Sequence, residues 1–161
     1  MKYFEYVDFK SIPDELIESF NQIINKPTQS ALKKDYPLKY YPWLVIKPVK
    51  DDLKQFLESL FPFEVFISYQ LVYNGLTIHK DTHRLYHYLY LIELGGDEVY
   101  TNFYNDQKIL IESTIFPLKQ WVKLDAQTFH NVTGIPNNNV RAAVVVTPKS
   151  CLITPNINTA L

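Results

Sequence analysis

From residue 63 to residue 148 the chain reads as short runs of β-branched and aromatic residues, broken by turn signals about every ten residues. No other feature restricts the fold so strongly, because that spacing belongs to all-β sandwiches and barrels. Strands are predicted over 63–73, 77–81, 85–94, 101–104, 108–112, 121–125, 129–134 and 140–148. Asn74-Gly75, Gly95-Gly96-Asp97, Asn105-Asp106 and Pro136-Asn137-Asn138-Asn139 supply the connectors. Two amphipathic helices precede them. Ser11, Pro13 and Asp14 open the first, whose stripe is Leu16, Ile17, Phe20, Ile23 and Ile24. After the proline-rich stretch 36–48, Asp51 and Asp52 open the second, with Leu53, Phe56, Leu57 and Leu60 on its buried face and Pro62 ending it. The expected class is mainly β with N-terminal helices: a jelly roll backed by helical support at 11–62, a β core at 63–148 and a tail at 149–161, in one domain spanning 1–161.

Composition excludes several functions. At 47% hydrophobic and 20% charged residues with a net charge of −1, the 161-residue chain has no basic excess to attract a nucleic acid backbone. The charged N-terminus is no secretory signal, and no apolar run is long enough to span a bilayer, so a cytoplasmic protein without membrane or nucleic acid partners is expected. The single cysteine, Cys151, can form neither an internal disulfide nor a thiolate cluster.

Three of the four histidines lie in TIHKDTHRLYH, residues 77–87. On a strand, residues two apart share a face, so His79 and Asp81 present an imidazole and a carboxylate together. One further ligand from a neighbouring strand completes a two-histidine, one-carboxylate triad with open positions. His130 is the candidate. Folding an antiparallel hairpin about Pro136 sets Arg141 roughly opposite His130. His83 is read as a surface or structural histidine, although it shares the parity of His79 and Asp81, which allows a place near a substrate; Arg84 is read as a solvated turn charge, with pairing to a substrate carboxylate or replacing Arg141 as the alternatives. His87 is read as structural. Tyr86, Tyr88 and Tyr90 share one strand face, explained equally by packing and by a substrate wall.

The ordered set His79-x-Asp81, His130, Arg141 resembles the signature of the 2-oxoglutarate and Fe(II)-dependent oxygenases, and most nearly their prolyl 4-hydroxylase-like branch. Gln70 to Gly75 before the HKD triplet is similar to that branch's glutamine and tyrosine-glycine run. Leu91 to Phe103, with Gly95-Gly96 and Thr101-x-Phe103, is similar to its next element. The resemblance covers about residues 66–148. It implies a double-stranded β-helix of cupin-like jelly-roll type, Fe(II) held by His79, Asp81 and His130, 2-oxoglutarate bound by Arg141 with help from Tyr73, and ascorbate as reductant. A C–H bond of an amino-acid or peptidyl, prolyl-type substrate would be hydroxylated, with succinate and carbon dioxide as co-products and with Arg84, His83 and Tyr90 near the substrate. Two rival readings use the same residues: a cupin-like metalloenzyme that does not use 2-oxoglutarate, for which Arg141 is expendable, and a non-catalytic jelly-roll binding module.

Overall fold

The computed structural model describes residues 2–25, 43–46 and 49–153. Most of the proline-rich stretch and the tail beyond residue 153 lie outside them. In chain order the elements are β1 (Phe4–Val7), α1 (Asp14–Asn25), β2 (Trp43–Ile46), α2 (Asp51–Leu60), β3 (Val65–Val72), β4 (Leu76–His79), β5 (Tyr86–Glu93), β6 (Tyr100–Tyr104), β7 (Leu110–Thr114), β8 (Trp121–Asp125), β9 (Phe129–Thr133) and β10 (Arg141–Pro148), followed by a 3₁₀ turn at Lys149–Cys151.

The strands form two antiparallel sheets, one ordered β1-β8-β5-β10-β3-β2 and the other β4-β9-β6-β7. This is the jelly roll expected from the strand spacing. The larger sheet is apolar on both faces, because helices cover one and the smaller sheet covers the other. Its central strand β10, RAAVVVTP, is buried at every position, hence its unbroken apolar run rather than an alternation. On the helix side, Ile17 and Phe20 of α1 and Leu53 and Leu57 of α2 join Tyr69, Leu71, Tyr88, Tyr90, Trp121 and Val144. Phe20 stacks on Tyr69 with ring centroids 3.9 Å apart. Between the sheets, Leu89, Leu91, Phe103, Phe116, Val122 and Val145 fill one end. The other end is open.

Three expectations need correction. Strands β1 and β2 were not anticipated: FEYV is too short and charged to stand out, yet pairs with β8 from Phe4↔Leu124 to Val7↔Trp121, and WLVI, inside the proline-rich stretch, pairs with β3. Strand β7 begins at Leu110 rather than at residue 108, because the Asn105 side chain accepts bonds from the Gln107 and Ile109 amides and Lys108 turns the chain at φ 59°. Finally, 129–148 is not a hairpin. Strand β9 pairs with β4 and β6, β10 pairs with β3 and β5, and the segment about Pro136 carries the chain from one sheet to the other. Two glycines let that crossing pack tightly. A Cβ on Gly134 (φ +87°) would lie 2.0 Å from the Glu98 carbonyl oxygen, and one on Gly95 (φ +83°) would lie 2.9 Å from the Arg141 amide.

Candidate metal centre and its cavity

At the open end, β4 and β9 place His79 directly across from His130 in the ladder. Their rings sit 4.5 Å apart, tilted by 54°. The Nδ1 of His79 donates to the Thr77 carbonyl at 2.8 Å, and the Nδ1 of His130 donates to the Thr128 carbonyl at 2.8 Å. A carbonyl only accepts, so both rings carry their proton on Nδ1 and offer the Nε2 lone pair, the tautomer a metal requires. Burial lowers the pKa of His130, which keeps that ring neutral and ready to ligate.

Asp81 arrives differently from expectation. Strand β4 ends at His79, and Asp81 lies in the following turn, held by its amide bond to the Ala126 carbonyl at 2.9 Å. Gln127 pins the same turn, its Nε2 donating to the carbonyls of Asp81 at 2.8 Å and Arg84 at 2.7 Å. The carboxylate nonetheless reaches the histidines, with Oδ1 3.7 Å from the His79 Nε2. One donor atom from each of His79, Asp81 and His130 lies within 4.8 Å of the other two. Cis donors bound to a divalent ion at about 2.0–2.2 Å sit roughly 3 Å apart, so the trio needs only a small contraction. Two imidazoles and one carboxylate on one side of an open cavity suit non-haem Fe(II).

Two basic residues sit around this trio in different roles. Arg84 donates through Nε to the Asp81 Oδ2 and through Nη1 to the Thr147 hydroxyl at 3.2 Å. It ties the carboxylate to β10 rather than standing free in a turn. Arg141 is buried, only 5% exposed, its Nη1 donating to the Thr101 hydroxyl at 2.9 Å. Among the described residues no carboxylate pairs with it. Burial pulls its guanidinium down to about 10, so it remains cationic at neutral pH. A buried cation without a counter-charge is costly unless an anion comes to it.

Both groups line one cavity of about 1000 Å³ between the sheets, with Ser68, Gln70 and Val72 of β3 along one wall and His87, Leu89 and Val145 behind. His83 stands exposed at its rim, and the segment after the 3₁₀ turn reaches that loop through the Ile153 amide, which donates to the His83 carbonyl at 2.9 Å. Two other candidates point elsewhere. Tyr73 shares the parity of Tyr69 and Leu71 and packs against the helix-side cluster, because on β3 it is Ser68, Gln70 and Val72 that face inward. Tyr90 is fully buried on the helix side beside Trp121, with ring centroids 4.9 Å apart. Neither touches the cavity, and Thr101 rather than Tyr73 is the hydroxyl beside Arg141.

Sequence reasoning gave no role to Thr101 or Gln127 and read His87 as structural. His87 is buried, its Nδ1 3.8 Å from the Asp81 Oδ2 and without a hydrogen-bond partner among the described residues. Burial holds its pKa well below the usual histidine value. The available signal was parity: with Tyr86, Tyr88 and Tyr90 on the outer face of β5, His87 must point inward with Leu89 and Leu91.

A helix-backed double-stranded β-helix with two histidines and a carboxylate converging at its mouth is the architecture these observations define. No protein-family model matches the chain, and no characterised protein matches it by sequence. Solved structures do match. A Pseudomonas putida prolyl-4-hydroxylase superposes with a TM-score of 0.54 at 10% identity, covering 91% of this chain and 92% of that one. AviO1 from Streptomyces viridochromogenes Tue57 also gives a TM-score of 0.54, at 13% identity, covering 94% of this chain and 92% of that one. An oxidoreductase of the 2OG-Fe(II) oxygenase family from Burkholderia pseudomallei matches with a TM-score of 0.43 at 11% identity, over 61% of this chain, which spans 50% of that protein. The fold is therefore one shared with a solved prolyl-4-hydroxylase and with AviO1.

Proposed function

We propose that this chain is an Fe(II)- and 2-oxoglutarate-dependent dioxygenase that hydroxylates a C–H bond of an amino-acid or peptidyl, prolyl-type substrate in the cytoplasm. The observation that carries the reading is the shared cavity, with three convergent metal donors and an uncompensated buried arginine on its walls. His79, Asp81 and His130 would hold the metal. When bound, iron with 2-oxoglutarate supplies oxidative decarboxylation to succinate and carbon dioxide coupled to oxygen insertion into a C–H bond, with ascorbate maintaining the ferrous state.

The chain's own part is positioning. The Thr77 and Thr128 carbonyls fix the tautomers of the two rings, and Arg84 holds the Asp81 Oδ2, which leaves Oδ1 on the side of His79 as the oxygen that would ligate. Arg141, oriented by Thr101, offers a planar pair of donors to the distal carboxylate of the keto acid. Buried Leu89 and Val145 on the cavity wall exclude water from that end. Gln70 and Ser68 on β3, with His83 at the rim, face the space left for substrate.

The rival without 2-oxoglutarate gives Arg141 no task, which is why the keto-acid reading is preferred. Anaerobic addition of Fe(II) and 2-oxoglutarate should produce the visible charge-transfer band of a chelated keto acid. Succinate release with iron, ascorbate and a panel of proline-containing peptides then tests substrate class. A colourless mixture with no 2-oxoglutarate binding by calorimetry refutes the proposal.

A further inference from the structure

Of the nine large apolar side chains exposed among the described residues, only Phe66 and Leu152 line the metal cavity. They are 45% and 38% exposed, and exposed apolar groups gathered at the mouth of a cavity mark a place where a ligand packs. A run of contacts joins them beside the metal's carboxylate. Phe66 of β3 stands opposite Thr147 of β10, whose hydroxyl accepts from the Arg84 Nη1 at 3.2 Å, and Arg84 in turn bridges to Leu152. The backbone about Leu152 is fixed there, since the Leu85 amide donates to the Cys151 carbonyl and the Ile153 amide to the His83 carbonyl, both at 2.9 Å. Arg84 also holds the Asp81 Oδ2, which brings both apolar side chains to the approach to the metal.

The charges on the same walls decide what can lie between them. Histidines aside, the charged residues lining the cavity are Lys80, Asp81, Arg84 and Arg141. Asp81 is the one acid among them, with Oδ2 taken by Arg84 and Oδ1 turned to the metal side. Lys80 is spent on Asp106 at 2.9 Å, and Glu64 is spent on Lys149, whose Nζ lies 5.5 Å over the Phe66 ring. An ammonium group entering here would meet two guanidinium groups and a divalent ion with no carboxylate to receive it, and a buried charge without a partner is heavily penalised. Neutral polar groups fare otherwise. The side chains of Ser68 and Gln70, half-buried on the same face of β3 as Phe66, hydrogen-bond to nothing among the described residues, and each can serve an amide.

We propose that Phe66 and Leu152 are specificity-determining residues that clasp an uncharged apolar side chain presented between neutral amides, so that free amino acids and charged side chains are turned away. The assignment rests on the keto-acid reading of the site, in which Arg141 belongs to the co-substrate and no cation is left for a substrate carboxylate. It selects a residue held within a peptide over the same residue free in solution.

Calorimetry on the Mn(II) protein, with and without 2-oxoglutarate, tests this with peptides acetyl-Gly-X-Gly-amide, X being proline, leucine, phenylalanine, lysine or glutamate, and with free proline, leucine and phenylalanine. At least one of the apolar peptides should bind about tenfold or more tightly than the lysine and glutamate peptides and than every free amino acid. Phe66→Ser and Leu152→Ser should each weaken that peptide by about tenfold or more, while Phe66→Leu and Leu152→Met stay within about threefold of wild type. Mn(II) and 2-oxoglutarate affinities should be unchanged in all four, and because both side chains are exposed the circular dichroism spectrum should be unchanged as well. No peptide binding, a free amino acid or a charged peptide bound as tightly as the best apolar one, or serine variants that bind normally would each overturn the assignment. A wild-type protein that ignores 2-oxoglutarate yet shows this peptide selectivity would sink the keto-acid reading alone and leave the clasp standing.

Discussion

A carboxylate that uses one oxygen on a metal needs something to occupy the other. At the residue scale that is the place of Arg84, whose Nε binds the Asp81 Oδ2 while its Nη1 holds Thr147. Groups of this kind behind a metal ligand are worth about 10–100-fold in metal affinity. Arg84→Gln should therefore weaken Mn(II) binding by about that factor in calorimetry, while His79→Ala abolishes it. Arg141→Ala should leave metal affinity unchanged and remove 2-oxoglutarate binding; if the keto acid still binds normally, Arg141 is not its anchor. Strand parity brought His79 and Asp81 under one hypothesis, since i and i+2 on a strand share a face whatever the fold, while His130 joined them as a ligand from a later strand and through the order of the family signature. The reason given for Asp81 was incomplete, because the strand ends at His79 and the Ala126 carbonyl with Gln127 shapes the turn that carries the carboxylate. No local pattern announces Gln127 or Thr101, whose partners lie about 40 residues away in sequence.

At the element scale, the crossing between β9 and β10 decides where Arg141 stands. Gly134 allows the chain to pass against the Glu98 carbonyl, and Gly134→Ala must move that backbone or abandon a φ of +87°. Strain of this kind costs about 1–3 kcal/mol, to be seen as a lower urea midpoint with an unchanged slope. The eight strands between residues 63 and 148 were legible because β-branched and aromatic runs alternated with turn residues. Their pairing was not. A turn signal at Pro136 is equally compatible with a hairpin and with a passage between sheets, and the difference lies in which strands compete for β10: β3 pairs with it along all eight residues and β5 along five, which leaves no side for β9. Strand β1 escaped notice for a related reason. Its stability comes from β8, to which four of its residues pair, and not from its own composition.

At the scale of the whole molecule, the helix layer and the cavity lie on opposite faces of the larger sheet. Leu57 is fully buried against the helix-side cluster and touches nothing in the cavity. Leu57→Ala should cost about 2–5 kcal/mol of stability, measured by urea unfolding, yet leave Mn(II) affinity within twofold of wild type. A parallel loss of affinity would mean that the two faces are mechanically coupled. That helices would back the sheet was readable from the stripes of α1 and α2, and the double-layered burial of β10 from its unbroken apolar run. No helix among the described residues is long and apolar enough to cross a membrane.

The pairing of His79 with His130 joins strands about 50 residues apart in the chain. A growing polypeptide emerging from the ribosome therefore carries half a binding site until β9 is made, and closing so long a loop precedes any reward from coordination. Iron cannot template the barrel's assembly. It should leave the refolding rate untouched and slow only unfolding, so that the ion acts as a late lock on an already finished architecture.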